Sequence, residues 1–271
     1  MQHNLRVPPT VLLVSIDGMR PDALRSANTP YLDRLVANGT VCWNARTVMP
    51  SVTLPCHTSM LRGVDVPRHG ITSNRFSPLA RPVPSVIDVA KTHGRRTGFF
   101  FNWGELRDLA EPGSFDVSYF VQDAHRMEGD TRVAKAAAAH QREEPFDFLF
   151  VYLGHVDERG HAEGWMSPGY IEAIEHADAC VGMVLAALDE GDRSWVALIQ
   201  SDHGGHERSH GTEMDEDMTI PWILSGHGVK AGNTLDGGVR IYDTCPTLAH
   251  LLGLPAAREW DGRIVGEALD L

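Results

Sequence analysis

The residues of this chain best suited to chemistry are carboxylates and imidazoles placed just after apolar runs. Asp17 follows TVLLVSI and precedes Gly18. Asp157 and His161 stand four apart in VDERGH, so on a helix they share one face and can hold one cation. Asp202 and His203, in SDHGG, directly follow WVALIQ, and His206 and His210 lie in the same loop. Neighbouring side chains at a strand end can diverge towards two cations. A set of carboxylate and imidazole without thiolate suits zinc or manganese at a catalytic site better than a structural, cysteine-based zinc site. Two such ions about 4 Å apart clamp the attacking and leaving oxygens of a phosphoryl transfer.

That chemistry needs a nucleophile, and the candidates lie in MPSVTLPCHTSMLRG. Pro55–Arg62 reads as a helix with proline in its first turn, which puts Thr53 at a helix N-terminus where backbone N–H groups and the dipole favour an anion. A threonine hydroxyl is a weak nucleophile until ionised, and metal coordination ionises it without a general base. An ordinary helix cap is the plain alternative for Thr53. Ser51 and Ser59 are rivals less well placed relative to the helix start.

The elements that must position these groups alternate. Thr10–Ile16, Thr97–Phe101, Asp147–Leu153, Trp195–Gln200 and Ile220–Leu224 read as strands, almost continuously apolar as buried parallel strands are. Helices are expected from Asn28 (N-cap) to a stop at Gly39, and over Pro84–His93, Asp130–Arg142, Pro168–Glu190 and Asp243–Leu252. The pattern predicts an α/β fold, a mostly parallel sheet with helices on both faces. Ligands of such sheets gather at the carboxyl ends of the strands, where the residues named above fall.

Composition narrows the function. The chain has 271 residues, 42% hydrophobic and 22% charged, with a net charge of −12 and 14 histidines. These values exclude a disordered chain, and the acidic balance argues against a nucleic-acid polymer as partner. One domain, 1–271, is expected, with small cap elements inside 75–84 and 102–129. The N-terminal MQHNLRVPPTVLLVSIDG lacks the shape of a signal peptide, and no apolar run is long enough to span a bilayer, so no membrane partner is expected. Cys42, Cys56, Cys180 and Cys245 show no CxxC spacing, so reduced thiols and a cytoplasmic location are the expectation.

In order and spacing the sequence resembles the alkaline phosphatase superfamily, in its nucleotide pyrophosphatase/phosphodiesterase branch. The resemblance rests on VLLVSIDGMRPDAL, NTPYLDRLVANG, MPSVTLPCH, RGVDVPRHGITSN, VDERGH, SDHGG and YDTCPTLAHLLGLP, and so runs over nearly the whole chain. It implies an alkaline-phosphatase-like core with a minimal cap and hydrolysis of phosphodiester or pyrophosphate bonds in a small, nucleotide-like substrate. Thr53 would be the nucleophile, passing through a phosphothreonine. Asp17, Asp202, His203 and Thr53 would hold one zinc. Asp157 and His161 would hold the second, completed by His210, with His206 and then His227 as alternatives. Asn74 would hydrogen-bond a non-bridging phosphate oxygen. Cys56 stands where the family often has asparagine and is expected to be a packing residue. His57 and His69 are expected to orient the nucleophile loop. Arg20 is a candidate phosphate contact or a surface ion pair, and Trp43, Trp103 and Phe76 are candidate stacking surfaces or core. Phosphonate hydrolysis, and binding of a phosphorylated ligand without catalysis, are the competing functions.

Overall fold

Eight strands form where the apolar runs predict them and at three further places: β1 (Thr10–Ile16), β2 (Gly39–Arg46), β3 (Thr97–Phe101), β4 (Val117–Phe120), β5 (Phe148–Leu153), β6 (Trp195–Gln200), β7 (Thr219–Gly226) and β8 (Asn233–Leu235). The helices are α1 (Pro21–Ser26), α2 (Pro30–Ala37), α3 (Thr53–Arg62), α4 (Val66–His69), α5 (Val86–Thr92), α6 (Met127–Glu143), α7 (His155–Glu163), α8 (Pro168–Asp189), α9 (Asp215–Met218) and α10 (Thr244–Leu251). The computed structural model describes residues 8–79 and 82–270. Residues 1–7, where the absence of a signal peptide is read, and Ala80 and Arg81 of the 75–84 stretch lie outside the described residues.

The strands join one sheet in the order β4-β3-β5-β1-β6-β7-β2-β8. Only β7 runs against its neighbours, pairing antiparallel with β6 and β2, while the other pairings are parallel. The expected mostly parallel α/β fold is therefore what the chain adopts. Alternate residues of β1 serve two cores: Val11 and Leu13 face the cluster with α3, α5 and α10, and Leu12, Val14 and Ile16 face the cluster with α2, α6 and α8. A strand buried on both faces is apolar at nearly every position, as TVLLVSI is, and its two hydroxyls are hydrogen-bonded, Thr10 to the Phe146 carbonyl and Ser15 to His57.

The expected helix from Asn28 to Gly39 is shorter. Asn28 donates its N–H to Glu175, Pro30 opens α2, and Gly39 begins β2 instead of ending a helix. Asp178 of α8 accepts from the N–H groups of Tyr31 and Leu32, so a carboxylate from another helix caps α2. The stretch 102–129 holds a short 3₁₀ turn (Gly104–Asp108) and β4, which lies on the edge of the main sheet. Strands β1, β5 and β6 are neighbours, so their carboxyl ends lie side by side at one edge of the sheet. The carboxyl end of β3 lies beside that of β5.

Candidate metal centre

Each loop that leaves this edge brings a ligand-type residue. Asp17 follows β1 and Asp202 and His203 follow β6; all three are buried. The segment after β5 folds as α7, so Asp157 and His161 share one helix face as their spacing predicts. Helix α3 starts at Thr53: Val52 is extended, and the first helical bond runs from Cys56 N–H to the Val52 carbonyl. Pro55 falls in the first turn, where its missing N–H has no partner to lose.

The side chains converge. The Asp17, Asp157 and His203 ligand atoms form one group, and those of Asp157, His161 and His210 form a second, with Asp157 in both. His203 Nε2 lies 3.3 Å from Asp17 Oδ1, 3.4 Å from Asp202 Oδ2 and 3.3 Å from Thr53 Oγ1. Asp157 Oδ2 is 3.4 Å from His161 Nε2, and its Oδ1 is 3.7 Å from His210 Nε2. The His203 and His210 rings stack at 3.9 Å.

The histidine tautomers are set from behind. His203 Nδ1 bonds the Gly204 carbonyl at 2.8 Å, His210 Nδ1 the Ser51 carbonyl at 2.8 Å and His161 Nδ1 the Arg208 carbonyl at 2.9 Å. A carbonyl only accepts, so each Nδ1 carries a proton and each Nε2 is turned towards the carboxylates, with a lone pair to offer in the neutral ring. Burial pushes the pKa of His203 and of His210 down and so favours the neutral ring.

The carboxylates are left wanting a cation. Asp17 Oδ1, Asp157 Oδ1 and Asp202 Oδ2 are buried without a hydrogen-bond partner, a condition that costs about 1–3 kcal/mol per group when nothing compensates. Burial, with the neighbouring Asp202 and Asp157 carboxylates, drives the Asp17 pKa well up. Burial, opposed by His203 and His161, pushes Asp157 to about 6. Asp202 is held low against the cost of burial by His203 and His57. Orphaned carboxylate oxygens facing bare imidazole nitrogens form a donor set that fits divalent zinc or manganese.

Supporting residues fix the first ring of groups. The Tyr152 hydroxyl donates to Asp17 Oδ2, and the Gly18 N–H donates to Asp202 Oδ1 at 3.2 Å. His57 donates from Nδ1 to the Thr53 carbonyl at 2.8 Å and accepts at Nε2 from the Ser15 hydroxyl at 2.8 Å. It thus ties the Thr53 turn to β1. His69 bonds Ser59 Oγ at 2.9 Å and supports α3 from its outer side. Asn74 Oδ1 accepts from the Leu54 N–H at 3.0 Å at the start of α3, which keeps its NH₂ donors free.

The alternatives sort themselves by position. His206 Nδ1 is paired with Asp217 at 2.7 Å, away from both groups. His227 follows β7, whose reversed direction carries it to the opposite edge of the sheet, where its N–H bonds the Trp195 carbonyl. Arg20 is committed to Asp22 and the Gly205 carbonyl, the ion-pair reading rather than a phosphate contact. Trp43 lies under the Arg25 guanidinium, 4.4 Å from its ring centre, and Trp103 packs on the core. Phe76 is exposed in the 75–84 loop. Cys56 is buried, receives the Thr47 hydroxyl, and burial pushes its thiol pKa up, so it packs and does not attack. Sequence reasoning missed Tyr152 and Ser15. Their only signal is a hydroxyl near the end of an apolar strand.

The mostly parallel sheet carries its carboxylate–imidazole cluster at the carboxyl edge, where ligands of such sheets gather. The sequence profile of the type I phosphodiesterase / nucleotide pyrophosphatase family matches residues 11–225, and the chain belongs to that family. Human ectonucleotide pyrophosphatase/phosphodiesterase family member 1 is 29% identical over 231 residues, which is 74% of this chain and 24% of that protein. Human family member 7 is 25% identical over 217 residues, 72% of this chain and 47% of that protein. The chain thus spans between a quarter and a half of the length of these relatives. Among solved structures, murine ectonucleotide pyrophosphatase/phosphodiesterase 5, in an inactive form in complex with AMP, is similar with a TM-score of 0.80 at 17% identity, covering 96% of this chain and 100% of that one. The phosphonate monoester hydrolase of Silicibacter pomeroyi is similar with a TM-score of 0.74 at 18% identity, covering 97% and 76%. Likeness at these identities is likeness of fold.

Proposed function

We propose that the protein hydrolyses phosphodiester or pyrophosphate bonds of small, nucleotide-like substrates, using Thr53 as nucleophile. The observation that carries this reading is the convergence, beside Thr53, of three buried, unpartnered carboxylate oxygens and three histidines whose Nδ1 atoms are held by carbonyls and whose Nε2 atoms face the carboxylates. Asp17, Asp202, His203 and Thr53 would hold one divalent ion, and Asp157, His161 and His210 the second. When bound, two such ions, zinc or alternatively manganese, supply Lewis acidity to the attacking and leaving oxygens.

The chain's own residues do the rest. Thr53 Oγ1 gives up its proton to solvent and attacks phosphorus, its new O–P bond forming as the bond to the leaving oxygen breaks and that oxygen takes a proton from solvent. The N-terminus of α3 and the free NH₂ of Asn74 face the charge that grows on the non-bridging oxygens. His57 holds the Thr53 backbone and so fixes the direction of attack. Water then displaces Oγ1 from the phosphothreonine and restores the hydroxyl. The AMP bound by the murine relative supports a nucleotide-like substrate. The four cysteines are buried and unpaired, in keeping with the reducing, cytoplasmic setting proposed from the sequence.

The test is turnover of bis-p-nitrophenyl phosphate, p-nitrophenyl phosphate and phosphonoacetate with zinc or manganese added. The diester is expected to be preferred. A preference for the monoester by orders of magnitude, or turnover of phosphonoacetate alone, overturns the diesterase reading. No chelator-sensitive turnover and no bound metal would leave a ligand-binding protein in its place.

A further inference from the structure

We infer that Trp165 is a positioning residue: its indole is the wall that holds His161 and His210 at ligating geometry and ties their segments to the loop after β1. The inference rests on the metal-binding reading above and concerns a residue that none of the motifs contains. Trp165 follows α7 and is 7% exposed. Its Nε1–H donates to the Gly18 carbonyl at 2.9 Å, next to Asp17. Its backbone N–H donates to the Glu207 carbonyl at 2.8 Å, in the loop that carries His210. The ring meets His161 edge-on, with centroids 5.1 Å apart at 86°, and meets His210 at 5.9 Å and 64°.

Two glycines record how closely the indole is seated. A Cβ on Gly160, beside His161, would stand 2.7 Å from the ring, and one on Gly205, beside Gly204 and His203, would stand 2.2 Å from it. The indole therefore lies directly on the backbone of both ligand-bearing segments. His161 needs such a wall, because its side chain is 42% exposed and its one described hydrogen bond is from Nδ1 to the Arg208 carbonyl. An exposed imidazole held at one atom samples several rotamers, and a ligand that must be ordered on binding weakens affinity. The indole edge removes those rotamers in advance, and its bond to Gly18 fixes the rotation of the indole itself.

The experiment uses the whole chain, wild type and Trp165→Phe, labelled with 5-fluorotryptophan and stripped of metal. Zinc is titrated in while bound metal and the ¹⁹F spectrum are read together, with circular dichroism as the fold control. The chain contains six tryptophans. The resonance missing from Trp165→Phe is expected to move with the equivalent of zinc that fills the Asp157–His161–His210 group. The variant is expected to fold, bind one equivalent as the wild type does, and bind the other about ten-fold more weakly. Equal affinity for both equivalents, or a Trp165 resonance that ignores zinc, overturns the inference while the metal reading stands. A variant that does not fold overturns it too, since the indole would then serve the fold and not the ligands. A wild-type chain that takes up no zinc removes the metal reading itself.

Discussion

At the scale of single residues, the site is a set of polar atoms whose partners have been assigned on one side only. Each histidine's Nδ1 is committed to a carbonyl, Asp17 Oδ2 to Tyr152 and Asp202 Oδ1 to Gly18. What remains uncommitted is the carboxylate oxygens and the Nε2 atoms that face one another, with Thr53 Oγ1 beside His203 Nε2. Replacing Thr53 by alanine is expected to lower turnover by about a thousand-fold or more, with metal content measured by elemental analysis unchanged. Serine at the same position should restore part of the rate. Turnover by the alanine variant at the wild-type level would remove Thr53 from the mechanism. Most of this ring was legible in the sequence, because carboxylates and histidines just past apolar runs are chemically conspicuous. What was not legible is who stands behind them. Tyr152 reads as one more core aromatic of β5, and only the parallel pairing of β1 and β5 brings its hydroxyl to Asp17.

At the scale of elements, α7 carries Asp157 and His161, and its start is gripped by a buried carboxyl. Asp130 of α6 accepts from the Gly154 N–H at 3.1 Å and from Asn102 Nδ2 at 2.7 Å, joining the ends of β3 and β5 to α6. Burial pushes Asp130 to about 7, whereas in the unfolded chain an aspartate titrates near 3.9. Between those values the folded chain holds a proton that the unfolded chain has lost, so this group's contribution to stability declines as pH rises from about 4 to about 7. Asp130→Asn has no such proton. Its melting temperature relative to wild type is therefore expected to rise across that window and stay level outside it, by an amount corresponding to at most roughly 4 kcal/mol. Thermal melts of both proteins at intervals from pH 4 to 8 check this, and a difference independent of pH would refute it. Five strands and most helices were visible as apolar periodicity. The missed strands lack that signal: β2 bulges between Cys42 and Ala45 and exposes Asn44, β4 is a four-residue edge strand exposing Ser118 and Phe120, and β8 has three residues.

At the scale of the whole molecule, a sheet buried on both faces supplies the rigidity, and its carboxyl edge supplies the place where like charges are crowded without relief. Among the described residues no helix is long and apolar enough to cross a membrane. On the proposed metal assignment, the carboxylates crowded at the sheet's carboxyl edge would make the chain more stable with metal than without it. Zinc at a hundred times its Kd is expected to add about 2.7 kcal/mol for one site, raising the melting temperature by roughly 5–10 °C. A chelator should reverse the gain, and a melt indifferent to both would contradict the ligand assignment. The sheet order, on which all this depends, could not be read from periodicity. Which strands become neighbours is decided by the crossovers and by the single reversed strand, β7.

Asp157 has a ligand atom in both groups, so an ion held by Asp157, His161 and His210 would lie close beside one held at Asp17 and His203. On the proposed metal assignment, the two sites would not fill independently. Whichever ion arrives first changes the charge and orientation that Asp157 offers to the next, and reciprocity requires the second to alter the first by the same factor. On the proposed metal assignment, the occupancy curve for zinc is expected to carry a cooperative term, positive or negative, that replacement of Asp157 would change.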